Sequence, residues 1–366
     1  MNIGILGCRG IPNRYGGFEQ FAEDLAPGLV QKGMSVSVYC SHHHPYTENE
    51  FQGVHLIRCY DPEPQIGATG QMIYDLNCIL DSRKRNFDII YQLGYTSAGL
   101  WQWLIPANYV VVSNMDGIEW QRAKYGSFAK LFLKYSERKV AQRSDLLIGD
   151  AVPIQEYLAA KYNKPVSFLA YCATPFSNPS KDVPARFNLM SKQYMLVIAR
   201  MQEDNHIEMI IEGYLLSGSS LPLCIIGNTN NKYGQYLRNK YAQQPNVNFM
   251  GGIFNQEDLN NLRYHAGLYF HGHSAGGTNP SLLEAMAASS RICAHDNVFN
   301  RSVLESGALF FKSADDITKL IMHHIFDQEW ESRVARNLDR IVVEYGKEKL
   351  IGDYFDLFKR ILTKSK

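Results

Sequence analysis

Along the first half of the chain, short apolar runs alternate with longer segments in which apolar residues recur at helical spacing. The runs at 3–6, 36–40, 54–59, 89–92, 110–113, 146–149 and 166–169 predict strands, and segments such as 18–31 and 128–143 predict helices between most of them. This alternation implies βα units and a parallel, doubly wound sheet. A Pro/Ser/Asn-rich stretch from 173 to about 192, containing Thr174-Pro175-Phe176-Ser177-Asn178-Pro179-Ser180, reads as a linker. The alternation then restarts, with strands predicted at 195–199, 223–226, 247–250, 268–270 and 292–294 and helices at 207–217, 256–265 and 281–288. The remainder, beyond about 330, is predicted helical. The expected class is therefore α/β, with Rossmann-like domains at 1–175 and 190–345 and a closing helix at about 346–366 returning to the first. Open sheets of this kind bind ligands at the carboxyl ends of their strands, so two such domains facing each other predict a site in the cleft between them.

Composition narrows the classes. The chain has 366 residues, enough for two domains of ordinary size. Net charge is +1, so no global electrostatic partner is implied and a nucleic-acid role has little support. The seven cysteines include no C-x-x-C pair, and several lie in apolar runs such as Leu223-Cys224-Ile225; buried, reduced thiols in a cytoplasmic protein are expected. The chain opens directly into a strand, Met1-Asn2-Ile3-Gly4-Ile5-Leu6, without the basic start of a signal peptide. No apolar run approaches the roughly 18 residues of a membrane span. The expected location is cytoplasmic, or peripheral on the inner face of the cell membrane.

Two glycine-rich segments carry the candidate chemistry. The first strand runs into Gly7-Cys8-Arg9-Gly10-Ile11-Pro12-Asn13-Arg14-Tyr15-Gly16-Gly17-Phe18-Glu19, and a helix is predicted to start near Phe18. Glycines before a helix let the backbone approach a ligand, and the helix N-terminus favours an anion there. Gly16 and Gly17 are the expected binding positions. A dinucleotide fold is argued against, because the glycines do not fall as G-x-G-x-x-G and the second strand ends Tyr39-Cys40-Ser41-His42 without a carboxylate. A plain surface turn is the other reading.

The second segment is Phe270-His271-Gly272-His273-Ser274-Ala275-Gly276-Gly277-Thr278-Asn279-Pro280-Ser281-Leu282-Leu283-Glu284. Thr278 or Asn279 suits an N-cap, and Pro280 the first helical position. Backbone N–H groups from Gly276 to Ser281 are then expected to form a diphosphate cradle without metal. Glu284, one turn into the helix, suits the hydroxyls of a ribose. Arg200, after the first strand of the second domain, is placed to reach the same diphosphate.

This layout resembles the retaining glycosyltransferases of the GT-B fold, in the large glycogen-synthase-like family. Arg200 matches that family's arginine after the first strand of its second domain, and Glu284 matches the second glutamate of its E-x7-E donor motif. Arg9-Gly10-Ile11-Pro12 with Tyr15-Gly16-Gly17-Phe18-Glu19, together with Gly276-Gly277-Thr278-Asn279-Pro280-Ser281-Leu282-Leu283-Glu284, looks like a bacterial rhamnosyltransferase subgroup. The resemblance implies a metal-independent enzyme that uses a nucleotide-diphosphate sugar as substrate, with dTDP-rhamnose favoured. It further implies a saccharide acceptor, or one linked to undecaprenyl diphosphate, in surface polysaccharide synthesis. Another UDP- or GDP-sugar donor, a catalytically silent nucleotide-sugar binder and a sugar-nucleotide epimerase are the alternatives.

Three positions depart from the family. Gly276 stands where the first glutamate of E-x7-E belongs. No lysine follows Arg200; Asp204, Asn205 and His206 occupy that region. Asp116 stands where the family usually carries a histidine near the donor's 6-hydroxyl, which is compatible with a 6-deoxy sugar; a loop aspartate capping a turn is the plainer reading. The resemblance assigns catalytic positions to Asp116 and Arg200. His271 and His273 border the glycine turn at alternate positions and share a side if the strand continues; His273 is the preferred contact to donor or acceptor, with structural packing the equal alternative.

Two further features remain. Between 120 and 143 lie Arg122, Lys124, Lys130, Lys134, Arg138, Lys139 and Arg143, with Glu137 the only acid, interleaved with Phe128, Leu131, Phe132, Leu133 and Tyr135. Such a helix suits an anionic membrane surface, and equally a helix with its apolar side in a core. His42-His43-His44 reads as loop histidines rather than a metal site, since three neighbours cannot all point inward.

Overall fold

The computed structural model describes the chain except residues 15, 123–124, 325–327 and 366, and leaves out the side chains at 68, 324 and 364–365. Tyr15 and Lys124 thus lie outside the described residues. The chain divides into two compact units. The first takes Met1–Gln121, Tyr125–Cys172 and Lys347–Lys366; the second takes Ala173–Gly346 and a short stretch beginning at Arg122.

The first unit is built on eight strands: β1 (Asn2–Leu6), β2 (Ser35–Ser41), β3 (Glu50–Phe51), β4 (Val54–Cys59), β5 (Ile89–Leu93), β6 (Val110–Asn114), β7 (Leu146–Gly149) and β8 (Val166–Phe168). Their order in the sheet is β3-β4-β2-β1-β5-β6-β7-β8. All neighbours are parallel except β3 and β4. Helices on both faces explain why successive residues of a strand are buried: Ile3, Ile5 and, on β5, Ile89, Ile90 and Tyr91 are all fully enclosed. The two-residue β3 is not predicted by the sequence pattern. It pairs with β4 across Gln52 and Gly53, both at positive φ, the backbone a tight hairpin requires.

The helix Lys347–Ser365 closes this unit. A Cβ at Gly28 would lie 2.3 Å from the Ile351 side chain, so glycine is what lets the helix Gly17–Gln31 approach it. The hydroxyls of Tyr91 and Tyr354 sit 2.8 Å apart in the core, and Lys347 pairs with Asp24 at 2.7 Å. Ile351, Tyr354, Leu357 and Phe358 are buried.

The second unit has six parallel strands, β9 (Met195–Ile198), β10 (Leu223–Ile226), β11 (Val247–Gly251), β12 (Leu268–His271), β13 (Ile292–His295) and β14 (Leu309–Phe311), in the order β11-β10-β9-β12-β13-β14. The three-residue β14 is not predicted either, because it has too few positions to show a pattern. Met195, Val197, Leu223, Ile225 and Phe270 from the strands pack with Ile207, Ile210, Ile317 and Trp330 from the helices. The stretch expected as a linker is instead fastened to this unit. Phe176 donates its N–H to the Ala287 carbonyl at 2.9 Å, Ser180 donates its N–H to Asn261 at 2.6 Å, and a helical turn, Asp182–Arg186, ends on an Arg186–Asp258 ion pair. Its prolines break regular structure without freeing the chain, because side chains of the unit satisfy the backbone.

Candidate donor site and the first-unit loops

In the second unit β9 has β10 on one side and β12 on the other, so the chain reverses direction across the sheet between β9 and β12. Ligands of open α/β sheets bind at that point, outside the carboxyl ends. Arg200 leaves β9 there with its side chain exposed, and the glycine segment leaves β12. The two loops are tied together. Ser274 donates both its N–H and its hydroxyl to the Asp204 carbonyl at 2.9 and 3.0 Å, and Asn205 donates to the Arg200 carbonyl at 2.7 Å. A Cβ at Gly272 would lie 2.1 Å from the Asn205 carbonyl oxygen, so this crossing admits only glycine.

His273 sits partly buried in this loop, its carbonyl accepting hydrogen bonds from Asn297 and Asn300 at 3.1 and 3.0 Å. Burial, then the charges of Arg200 and Arg122, push its imidazole down to about 3. It is neutral at physiological pH and can hydrogen-bond a sugar hydroxyl without adding charge. The fully buried His271 stacks on it at 4.3 Å and is also driven well below the usual range, chiefly by burial.

Asn279, not Thr278, is the N-cap of the helix Pro280–Ala287; its side chain accepts from the Ser281 N–H at 2.9 Å. That bond corrects the expected cradle at one end. The Ser281 amide is committed to the cap, and its hydroxyl lies 3.2 Å from both Arg263 and Tyr269. Thr278 is buried. The amides of Gly276 and Gly277 donate to nothing among the described residues. Gly276 has φ +111, a conformation glycine adopts freely and a glutamate does not, which accounts for the missing acid of the E-x7-E pattern.

Glu284 holds a partner that the sequence did not disclose. Arg263, on the helix Gln256–His265, is buried and donates to Glu284 Oε2 at 2.5 Å. No spacing rule links positions on different helices, so only the structure shows this pair.

In the first unit the glycine loop lies between β1 and the helix Gly17–Gln31. Gly16 caps the helix Gly17–Gln31, and a Cβ on Gly17 would meet nothing within 4 Å, leaving open approach to that turn. The buried carboxylate of Glu19 folds back and accepts from the Arg9 N–H at 2.7 Å. Arg9 is itself buried against Glu63 and Asp61, with its guanidinium 4.8 Å from the Tyr74 ring centre. Its charge is thus paired within the unit. Arg14 is exposed.

At the carboxyl ends of β1 and β5, where this sheet also reverses, a cavity of about 40 Å³ is lined by Leu6, Gly7, Asp75, Gln92, Gly94 and Ser97 among others. A Cβ at Gly7 would lie 2.2 Å from the Leu93 carbonyl oxygen, so the two strand ends meet closely there. Asp75 is buried in the cavity wall and accepts from the Ser97 hydroxyl. Burial pushes its carboxyl up to about 6, against the opposing pull of Ser97 and Arg9. Asp116 follows β6 at φ +51, with its N–H on Asn114 Oδ1 at 2.9 Å and its carboxylate accepting from the Tyr171 hydroxyl at 3.2 Å. Among the histidines after β2, His42 Nδ1 accepts from the Asp61 N–H at 3.0 Å, and His44 Nε2 lies 3.0 Å from the Pro12 carbonyl. Both are loop-fixing contacts.

The basic segment forms the helix Ser127–Arg143. Leu133, Ser136, Val140 and Ala141 face the core. Glu137, its only acid, is turned inward and receives Lys161, Tyr157, Tyr162 and Trp120. The outer face carries Phe128, Leu131 and Tyr135, which are 87%, 67% and 47% exposed, beside exposed Lys134, Arg138 and Lys139.

Two family models match. Residues 1–174 match a domain of unknown function, DUF1972, and residues 181–340 match glycosyl transferases group 1. No curated protein matches the chain. Solved structures are similar over its whole length. Sucrose-phosphate synthase from Thermosynechococcus elongatus aligns at a TM-score of 0.78, with 15% identity over 99% of this chain and 99% of its own. HepE from Anabaena, solved in complex with UDP and glucose, aligns at 0.76, with 12% identity over 98% and 99%. An alpha,alpha-trehalose-phosphate synthase (UDP-forming) from Burkholderia xenovorans aligns at 0.72, with 12% identity over 99% and 100%. These likenesses show the GT-B fold of two Rossmann-like domains, and the group 1 match supports a glycosyltransferase.

Proposed function

We propose that the protein is a retaining glycosyltransferase that moves a 6-deoxyhexose, rhamnose from dTDP-rhamnose, onto a saccharide acceptor linked to undecaprenyl diphosphate. The observation that carries this reading is that Arg200 and the glycine segment leading to Glu284 follow β9 and β12, the two strands at the reversal point of the sheet, within the span that matches glycosyl transferases group 1. A nucleotide-sugar donor also fits HepE, a protein of the same fold solved with UDP and glucose.

Retention requires the acceptor hydroxyl to attack the face from which the nucleoside diphosphate leaves. The C–O bond to the diphosphate breaks, the new C–O bond forms, and the departing phosphate oxygen takes the acceptor's proton. Stabilising negative charge on the leaving diphosphate is then the largest task for the protein. We assign it to Arg200 and the two glycine amides, with neutral His273 hydrogen-bonding the sugar. Gly16 and Gly17 are assigned to donor binding, and Asp116 to positioning sugar or acceptor. An aspartate at 116, where the resembled family has a histidine for a 6-hydroxyl, agrees with a donor lacking that hydroxyl.

The outer face of Ser127–Arg143 is assigned to the inner leaflet. Three exposed apolar residues at i, i+3 and i+7 with flanking cations and no outward acid are the features of an interfacial helix. No helix among the described residues is long and apolar enough to cross a membrane.

Thermal-shift screening with dTDP, UDP and GDP tests the donor class, since a ligand of the native state raises Tm by mass action. The largest shift is expected with dTDP, followed by transfer from dTDP-rhamnose to a lipid-linked acceptor. No shift with any of the three would refute the donor site. A shift without transfer to any acceptor would leave a nucleotide-sugar binder that does not turn over.

A further inference from the structure

Arg122 belongs to the second unit, and the chemistry proposed above does not use it. Its side chain is 15% exposed and stands between two loops of that unit. Nη1 lies 3.8 Å from Asp204 Oδ2, in the loop after β9. Nη2 lies 3.5 Å from the position a Cβ would take on Gly276, in the turn after β12. The N–H of Gly276 donates to nothing among the described residues. One edge of a guanidinium and an unengaged amide therefore share the same turn.

These two loops are poor in positive charge. The first reads Arg200-Met201-Gln202-Glu203-Asp204-Asn205-His206, and the second, His271 to Gly277, holds neither lysine nor arginine. His206, His271 and His273 are all pushed below the usual range, chiefly by burial, and so are neutral at physiological pH. The charges of Arg200 and then Arg122 add to that effect at His273, which places both guanidiniums close to one imidazole. One buried carboxylate, Asp204, stands against these two cations. At 3.8 Å its Oδ2 is beyond a hydrogen bond to Nη1.

We infer that Arg122 is a second diphosphate-binding residue of the donor site: Asp204 aims its guanidinium, and Nη2 donates, beside the Gly276 amide, to a phosphate oxygen of the nucleoside diphosphate. A planar fork can serve a carboxylate on one nitrogen and a phosphate on the other. The inference rests on the donor-site reading above and deepens it, because it adds to Arg200 a cation that lies far from both loops in sequence.

Calorimetric titration of the full chain with dTDP, UDP and GDP gives the tightest binder, and that nucleotide serves as the probe. Arg122→Met is expected to weaken it by about tenfold to a hundredfold, the worth of a hydrogen bond to a charged group. The rival account is that Arg122 only offsets Asp204, whose carboxylate the substitution strands in the interior. Combining Arg122→Met with Asp204→Asn removes that penalty. The double variant is expected to keep the loss, whereas a mere partner of Asp204 would let affinity return to the wild-type value. Arg122→Lys keeps a charge but not the fork and is expected to lose about threefold or more.

A loss under about threefold in Arg122→Met would overturn the inference, as would recovery of affinity in the double variant. If the methionine variants fail to fold, Arg122→Lys decides, and unchanged affinity in it overturns the inference. Failure of the wild-type chain to bind dTDP, UDP and GDP alike would sink the donor-site reading itself, an outcome distinct from tight wild-type binding that the Arg122 substitutions leave unmoved.

Discussion

Replacing Asp75 by asparagine should stabilise the protein, and only above acidic pH. The carboxyl is buried at the cavity below Gly7 and Gly94, and burial raises it from 3.8 to about 6. The folded state therefore binds this proton more tightly than the unfolded chain does. The stability Asp75 contributes is fully present below about pH 4 and is lost as pH rises through 6. A shift of about two units at 1.36 kcal/mol per unit amounts to roughly 3 kcal/mol by pH 7.5. The amide of the Asp75→Asn variant can still accept from the Ser97 hydroxyl and carries no charge to desolvate. For a unit of this size 1 kcal/mol moves Tm by roughly 2–4 °C, so the difference between variant and wild type should widen by about 6–12 °C between pH 4 and pH 7.5. Differential scanning calorimetry of both proteins across that range measures it, and any pH-independent effect of the substitution cancels in the comparison. A difference that stays flat with pH would refute the argument that Asp75 is ionised at the expense of folding.

Arg200→Ala should lower kcat by about 10²-fold or more in a transfer assay, as for removal of other charge-stabilising donors; near-normal turnover would remove Arg200 from the mechanism. Gly276→Glu, which rebuilds the wider family's acid, should lower Tm by a few degrees and restore nothing, because φ +111 strains any L side chain by about 1–3 kcal/mol; a gain in donor affinity would contradict this. Phe128→Ser with Leu131→Ser should abolish flotation with anionic liposomes while leaving turnover on a soluble acceptor unchanged, since each exposed apolar side chain contributes roughly 1.5–3 kcal/mol when buried in lipid. Unaltered flotation would remove the helix from the membrane contact.

Much of the fold was legible because strands covered on both faces must be apolar at successive positions, as in Leu223-Cys224-Ile225, and such runs are visible without partners. The start of the helix at Pro280 was legible for an equally local reason: asparagine caps, and proline fixes the first turn. Apart from the short strands β3 and β14, what the sequence did not show was tertiary. Arg9 stands in a glycine loop, and nothing near it in sequence announces Asp61 and Glu63, more than fifty residues away, which pair with it in the interior. The carboxylate of Glu19 accepts from the Arg9 N–H, ten residues back across the glycine loop, which helical periodicity does not report. Arg263 gave no signal, because a single arginine in a helical pattern is usually solvated. Charges are buried only where a partner waits, and sequence spacing does not report partners on other elements.

The closing helix also bears on how the protein is made. Leu350, Ile351, Tyr354, Leu357 and Phe358 are buried in a unit that begins at Met1, each contributing roughly 1.5–3 kcal/mol. Domains emerging from the ribosome ordinarily fold in order, the first before the next. Here the first unit lacks its last core layer until the second has been synthesised in full, because Ala173–Gly346 intervenes. The unit that can finish first is thus the second, and the close approach at Gly28 waits for Ile351.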